Sequence, residues 1–225
     1  MNPLTIKNEI VFSLVELKKW EELKISWNMI ITVVAWKIKE KFKWTIKTFE
    51  SSVYHSWNIK AEKNTLLTVF NIKNIDIILN KIDVDSEFWK FCRINWKQLR
   101  EIYDVEWFEK IDLYRSNQIK HEYFWEKYKF NLWFCGKSLN EWNYNFHNQH
   151  DFIEVHTNIA WDWFMQKSDS LKWENLIETV WLMPWTSHRR FDLEWVKEKN
   201  RNPKYPFHRW LGWNTWNIWL VIEKY

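Results

Sequence analysis

The sequence predicts a mainly β protein with two β-rich parts joined by a short helical connector. Short runs rich in β-branched and apolar residues, at 10–15, 29–35 and 66–72, read as strands separated by turn-like text. Strand-like text resumes at 111–114 and continues to 221–223. Between them, Ile75, Ile77, Ile78 and Leu79, then Phe91, Ile94, Leu99, Ile102 and Tyr103, recur with a mostly helical period in a charge-rich stretch. Many short strands with regular turn signals favour a sandwich or barrel. The expected organisation is a first β barrel at 1–73, a connector at 74–113 and a second barrel at 114–225. No Pro- or Ser-rich linker divides them.

The turn signals themselves are unusual. The chain has 225 residues, with 21 tryptophans and 2 glycines, Gly136 and Gly212. A soluble chain of this length ordinarily carries roughly 16 glycines, at about 7%. Tight turns need φ > 0, which a bulky side chain resists. The tryptophans stand where glycine belongs: Trp27, Trp57, Trp142, Trp213 and Trp216 precede Asn, and Trp20 sits in the polar run Lys18-Lys19-Trp20-Glu21-Glu22. Trp161 and Trp163 bracket Asp162, and Trp185 follows Pro184. Some bacteria read the codon UGA as glycine, and a translation that assigns it to tryptophan produces this pattern. The Ile, Lys and Asn bias fits an AT-rich gene of that kind. Trp210 and Trp219, in apolar strand-like text, are expected to be true tryptophans. The alternative is a Trp-rich protein with aromatic platforms for sugars or single strands, but platforms cluster on one face and these residues occupy every turn.

Charge and cysteines bound the remaining classes. The formal net charge of +4 is mild and mixed, so no basic arm argues for nucleic acid. Cys92 and Cys135 are widely separated and in no metal-like spacing, which suits a reducing, cytoplasmic setting. Glu9 and Glu16 interrupt the apolar residues of the first segment, unlike a signal peptide. The longest mostly apolar run, 29–36, is too short to span a bilayer. A soluble cytoplasmic protein is expected, with neither nucleic acid nor membrane as partner; a homodimer is left open.

Chemistry concentrates at 142–192. From Trp142 the chain reads Trp-Asn-Tyr-Asn-Phe-His147-Asn148-Gln149-His150-Asp151-Phe152-Ile153-Glu154-Val155-His156, reaching Trp161 after four more residues. On a strand, residues 148, 150, 152 and 154 share one face, placing an amide, an imidazole and a carboxylate together. Downstream, Pro184-Trp185-Thr186-Ser187-His188-Arg189-Arg190-Phe191-Asp192 puts His188, Arg190 and Asp192 on one face of a following strand. An inward guanidinium there would pair with a carboxylate or phosphate; an ion pair with Glu154 or Asp192 is the equal alternative. His208 and Arg209 form a further candidate pair. Taken singly, His147, His150 and His156 also read as surface residues of an Asn- and His-rich loop, and His188 as a satisfied histidine near a turn.

These two stretches resemble the two motifs of the cupin superfamily, with Trp142, Trp161 and Trp185 in glycine places. Asn148 then takes the first histidine position, His150 the second, Glu154 the carboxylate and His188 the third histidine; a second register would use His147 and Gln149. Asn148 and the one-residue displacement of Pro184 depart from the pattern. The resemblance implies a bicupin: two jelly-roll, double-stranded β-helix barrels with one site in the second. Its metal ligands would be His150, Glu154, His188, Asn148 and His147, holding a divalent transition metal such as iron, manganese, zinc or nickel. Glu154 and Arg190 would be the catalytic residues. The first barrel matches only in outline, with His55 as its sole second-motif candidate.

The expected function is therefore a cupin with one metal or small-molecule site, acting on a polar, sugar-like or sugar-phosphate-like metabolite. An isomerase, epimerase or oxygenase reaction would suit such a site. A non-catalytic sensor or interaction cupin without metal is the alternative, because fold does not choose between these.

Overall fold

The computed structural model describes residues 4–6, 9–25, 29–35, 38–40, 45–54, 58–71, 96–98, 113–135, 152–160, 162–170, 175–187, 207–212 and 217–225. Every element among them is a strand. The chain divides into two compact units, Met1–Ile94 with Trp185–Ser187, and Asn95–Pro184 with His188–Tyr225.

In the first unit the strands are β1 (Leu4–Ile6), β2 (Glu9–Leu17), β3 (Glu22–Lys24), β4 (Met29–Ala35), β5 (Ile38–Glu40), β6 (Thr45–Ile46), β7 (Ser51–Tyr54), β8 (Asn58–Ala61) and β9 (Thr65–Asn71). One sheet has the order β1-β2-β9-β4-β7 and the other β3-β8-β5-β6, with every pairing antiparallel. Set β1 aside and a single rule generates both sheets. β5 pairs β6, β4 pairs β7, β3 pairs β8 and β2 pairs β9. The chain is one long hairpin with its tip between β5 and β6, wound so that successive strand pairs alternate between two sheets. The winding brings β4 against β9 and β5 against β8. This is the eight-stranded jelly roll, or double-stranded β-helix.

Burial explains why these segments become strands. In β8, Ile59 and Ala61 are buried while Asn58 and Lys60 are exposed, the two-residue period of a half-buried strand. β4 reads Met-Ile-Ile-Thr-Val-Val-Ala and is buried on both faces, so an uninterrupted β-branched run suits it. Leu17, Ile31, Val33, Tyr54 and Leu67 from one sheet meet Ile46, Ile59 and Ala61 from the other in one apolar cluster. A bulge interrupts β4 between Val33 and Ala35.

The second unit contains β10 (Lys97–Gln98), β11 (Leu113–Arg115), β12 (Ile119–Tyr123), β13 (Glu126–Cys135), β14 (Ile153–Ala160), β15 (Trp163–Ser168), β16 (Leu176–Leu182), β17 (Phe207–Gly212) and β18 (Asn217–Lys224). Its sheets run β10-β11-β13-β18-β14, with β12 also on β13, and β16-β15-β17. β13, β18 and β14 stand in the relation of β2, β9 and β4. β16, β15 and β17 stand in that of β6, β5 and β8. Among the described residues no strand stands beside β14 or β17 at the places of β7 and β3. The correspondence extends to detail: β14 carries a bulge between Asn158 and Ala160, at the place of the β4 bulge. The expectation of two β units of one architecture therefore holds at the level of strand order.

Trp133, Trp219 and Val221 from the larger sheet meet Trp163, Met165, Leu182 and Trp210 from the smaller in the core of the second unit. Trp163 and Trp219 stack with ring centroids 5.2 Å apart, and Trp133 lies 5.9 Å from Trp210. Trp210 and Trp219 occupy core strands, as their apolar context indicates. Trp163 corrects the sequence reading: it opens β15 and is 1% exposed, so it is a strand residue and not a turn residue. The apolar run before it ends at Ala160, and alternation from Trp163 through Met165 to Lys167 carries the inward face onward. Most of the helical connector at 74–113 lies outside the described residues; within it, Lys97 and Gln98 form a strand on β11.

The core should set stability. Trp219→Ala is expected to lower the unfolding free energy by about 3–5 kcal/mol, because it empties a fully buried position. Trp125→Ala, at a side chain 92% exposed, should change it by less than about 0.5 kcal/mol. Urea denaturation of both variants checks this, and equal losses would show that the described core is not the stabilising one.

Candidate functional site

The inward face of β14 carries Glu154, His156 and Asn158, since alternate residues share a face. Opposite them on β18 lie Glu223, Val221 and Trp219. From the smaller sheet, β17 presents His208 and Trp210, and β15 presents Lys167 beside His208 in register. The interior of the second unit is thus apolar around the stacked tryptophans and polar toward the end holding Glu154.

Glu154 is the centre of the polar part. His156 Nε2 lies 3.1 Å from one carboxylate oxygen and His208 Nε2 3.6 Å from the other. All three side chains are buried. A buried carboxylate is costly unless neighbouring polar groups replace its water shell, and here the nearest polar groups are imidazoles from two different sheets. The His156 ring also packs 5.6 Å from Trp163 and 6.2 Å from Trp210. Asn158 Nδ2 donates to the Leu182 carbonyl oxygen over 2.7 Å, a further tie between the two sheets.

A second carboxyl lies beside the first, because Glu223 pairs with Glu154 in the β14–β18 ladder. Tyr225 donates its hydroxyl hydrogen to Glu223 Oε2 over 2.6 Å and accepts a hydrogen bond from Lys129 Nζ. Burial foremost holds the Glu223 carboxyl above its ordinary range; the Glu154 carboxylate adds to this, while the Tyr225 hydrogen bond, Lys129 and Arg115 oppose it. Two adjacent buried carboxyls with unlike surroundings can divide their roles, one holding a proton and the other accepting.

Of the metal ligands and catalytic residues that the motif resemblance implies, Glu154 is the one among the described residues, and it faces the interior. His147, Asn148, His150, His188 and Arg190 lie outside them. His156 is not a surface residue: it is 1% exposed, two positions along the strand from Glu154, where the same alternation that grouped residues 148 to 154 also leads. His208 and Arg209 part company. His208 points inward, whereas Arg209 lies on the outer face and donates from Nε to Gln166 Oε1 over 2.8 Å.

Two imidazoles and a carboxylate are donor types that suit a transition metal. In the described residues each imidazole lies against a different oxygen of the same carboxylate. Among the described residues no group of three or more His, Cys, Asp or Glu side chains is set to hold a metal ion. Also among them, no helix is long and apolar enough to cross a membrane.

The winding and the polar interior define a tandem jelly-roll protein with a buried polar centre in its second unit. No family model matches the chain, and no curated protein matches it. It is similar to several solved structures. One is a cupin 2 conserved barrel domain protein from Leptotrichia buccalis, at 12% identity over 94% of this chain and 81% of that one, with a TM-score of 0.31. Another is a mutant oxalate decarboxylase from Bacillus subtilis, at 10% identity over 94% and 68%, with a TM-score of 0.29. A third is the 11S globulin from Wrightia tinctoria, described as revealing an auxin binding site, at 9% identity over 94% and 74%, with a TM-score of 0.33. The jelly-roll assignment rests on the strand order and not on these superpositions.

The Glu223 carboxyl makes stability depend on pH. A carboxyl with a raised folded-state pKa binds its proton more tightly than it does in the unfolded chain. Its contribution is complete below the ordinary value near 4.5 and is lost as pH rises through the folded value. Glu223→Gln keeps an uncharged group in place, so its melting temperature should gain on that of the unmodified protein as pH rises above the ordinary value near 4.5. A constant difference across that rise would remove Glu223 as the titrating group.

Proposed function

We propose that this chain is a two-domain cupin whose second unit binds a polar small molecule at a centre built on Glu154. One observation carries the reading. The bulges of β4 and β14 align the two units, and where the second turns Glu154, His156 and Asn158 inward, the first has Met29, Ile31 and Val33. A stability-only interior has no need of a buried carboxylate between two histidines; an apolar set serves better, as in the first unit. The polar set is retained for something it binds.

On this reading Glu154 is the proton acceptor or ligand anchor, with His156 and His208 orienting it. Arg190, in the second motif, would hold an anionic group of the substrate, which favours a sugar-phosphate-like metabolite. His150 and His188 would join Glu154, with Asn148 or His147, if a divalent transition metal is held. When bound, such an ion would polarise a carbonyl oxygen of the substrate. With or without it, Glu154 can take a proton from a carbon or hydroxyl of the substrate, and Glu223 beside it can hold one.

The experiment is titration calorimetry with Mn²⁺, with Zn²⁺ and with fructose 6-phosphate, on the unmodified protein and on Glu154→Gln, His208→Phe, His188→Ala and His55→Ala. At least one probe should bind, and the first three substitutions should each weaken it by about tenfold or more, equivalent to about 1.4 kcal/mol. His55→Ala, in the first unit, should leave it unchanged. Metal binding lost in His188→Ala supports the metal form; fructose 6-phosphate binding without metal supports the sensor form. Binding that survives in Glu154→Gln, His208→Phe and His188→Ala alike would place the site elsewhere.

A further inference from the structure

We infer that Trp20 and Trp185 stand where the protein made in its own cells has glycine. The backbone supplies evidence independent of composition. Trp20 has φ of 72° and Trp185 has φ of 68°, the left-handed region that a bulky L-residue resists. Each is the second central residue of a turn. Around Trp20, the Glu21 N–H donates to the Lys18 carbonyl oxygen over 2.9 Å. At Trp185 the preceding residue is Pro184. Proline followed by a residue of positive φ is the requirement of a type II turn, and glycine is the residue that meets it. Trp125 belongs to the two-residue loop Phe124–Trp125 of the β12–β13 hairpin, where Tyr123 pairs with Glu126. Such loops also draw on positive φ; here it is Phe124 that takes it, at 56°, with its ring edge-on to Tyr123 at 4.8 Å, so the backbone makes no such demand at Trp125.

Phe49 tests the reasoning, since it too has positive φ, at 65°, in a turn closed by Glu50 N–H to the Lys47 carbonyl oxygen. Its ring is buried, which compensates the strain. The two turn tryptophans are not buried. Trp20 is 58% exposed, with the Lys19 and Lys60 ammonium groups 5.1 and 5.4 Å from its ring, and Trp185 is also exposed. Indoles of this size at exposed turns contrast with Trp210 and Trp219, which fill core strands. The inference touches function at one point. Trp185 occupies the glycine place of the second motif, so the turn leading to His188 is a glycine turn.

Two measurements decide it. The first is the mass of tryptic peptides spanning residues 20 and 185 from protein isolated from its own cells, read beside the gene. UGA codons and peptides lighter by the difference between a tryptophan and a glycine residue are expected; tryptophan masses at these positions overturn the inference. The second uses recombinant protein carrying the printed sequence from UGG codons. Trp20→Gly and Trp185→Gly should each raise the melting temperature by about 2–4 °C, whereas Trp219→Gly should abolish cooperative unfolding. A fall in melting temperature for both turn variants would mean that the indoles belong where they are.

Discussion

Everything described in each unit depends on one central strand. β18 is hydrogen-bonded to β13 on one side and β14 on the other, as β9 is to β2 and β4. This strand follows the strands that it joins into a sheet. Isolated two-stranded ribbons are marginal in water, so earlier hairpins gain much of their stability only when this strand arrives. Its text shows the constraint: Ile218, Trp219, Leu220, Val221 and Ile222 are buried without alternation, because both faces of β18 are covered.

The buried centre exploits that closure. Glu154 and Glu223 are neighbours because β14 pairs β18, and His208 reaches Glu154 because the second sheet faces the first. No segment of local sequence brings these groups together. Imidazoles arrive at the carboxylate from both sheets, each toward its own oxygen. That geometry ties the sheets at the polar end of the interior as the stacked tryptophans do at the apolar end. A group held in this way has little rotational freedom, which suits a residue that must present an oxygen to a bound molecule in one orientation.

The two units show one winding put to different uses. Both have the same order of paired strands and a bulge at the same place in β4 and β14, yet the inward residues of β4 are apolar and those of β14 are not. A jelly roll needs its inward positions filled and its hydrogen bonds paired; it does not need any particular chemistry at three inward positions of one strand. Those positions are where function can diverge without disturbing the architecture.

The sequence by itself determined that the chain is mainly β and that it falls into two β-rich parts. Period-two alternation and β-branched runs act locally, so β4, β9 and β18 were legible. The turn at Trp185 was legible too, because Pro184 fixes the φ that precedes it. The inward face of Glu154 was legible for the same reason, since alternation within a strand assigns it. Tertiary structure decided the rest. His156 read equally well as a surface histidine until β14 was seen to be buried on both sides, and His208 lay among several candidates until β17 was set opposite β14. Trp163 read as a turn residue because Asp162 flanks it, and packing against Trp219 overruled that local signal. Partners across a jelly roll are separated by most of a domain in sequence, so the pairings that create the site leave no mark in any short window of residues.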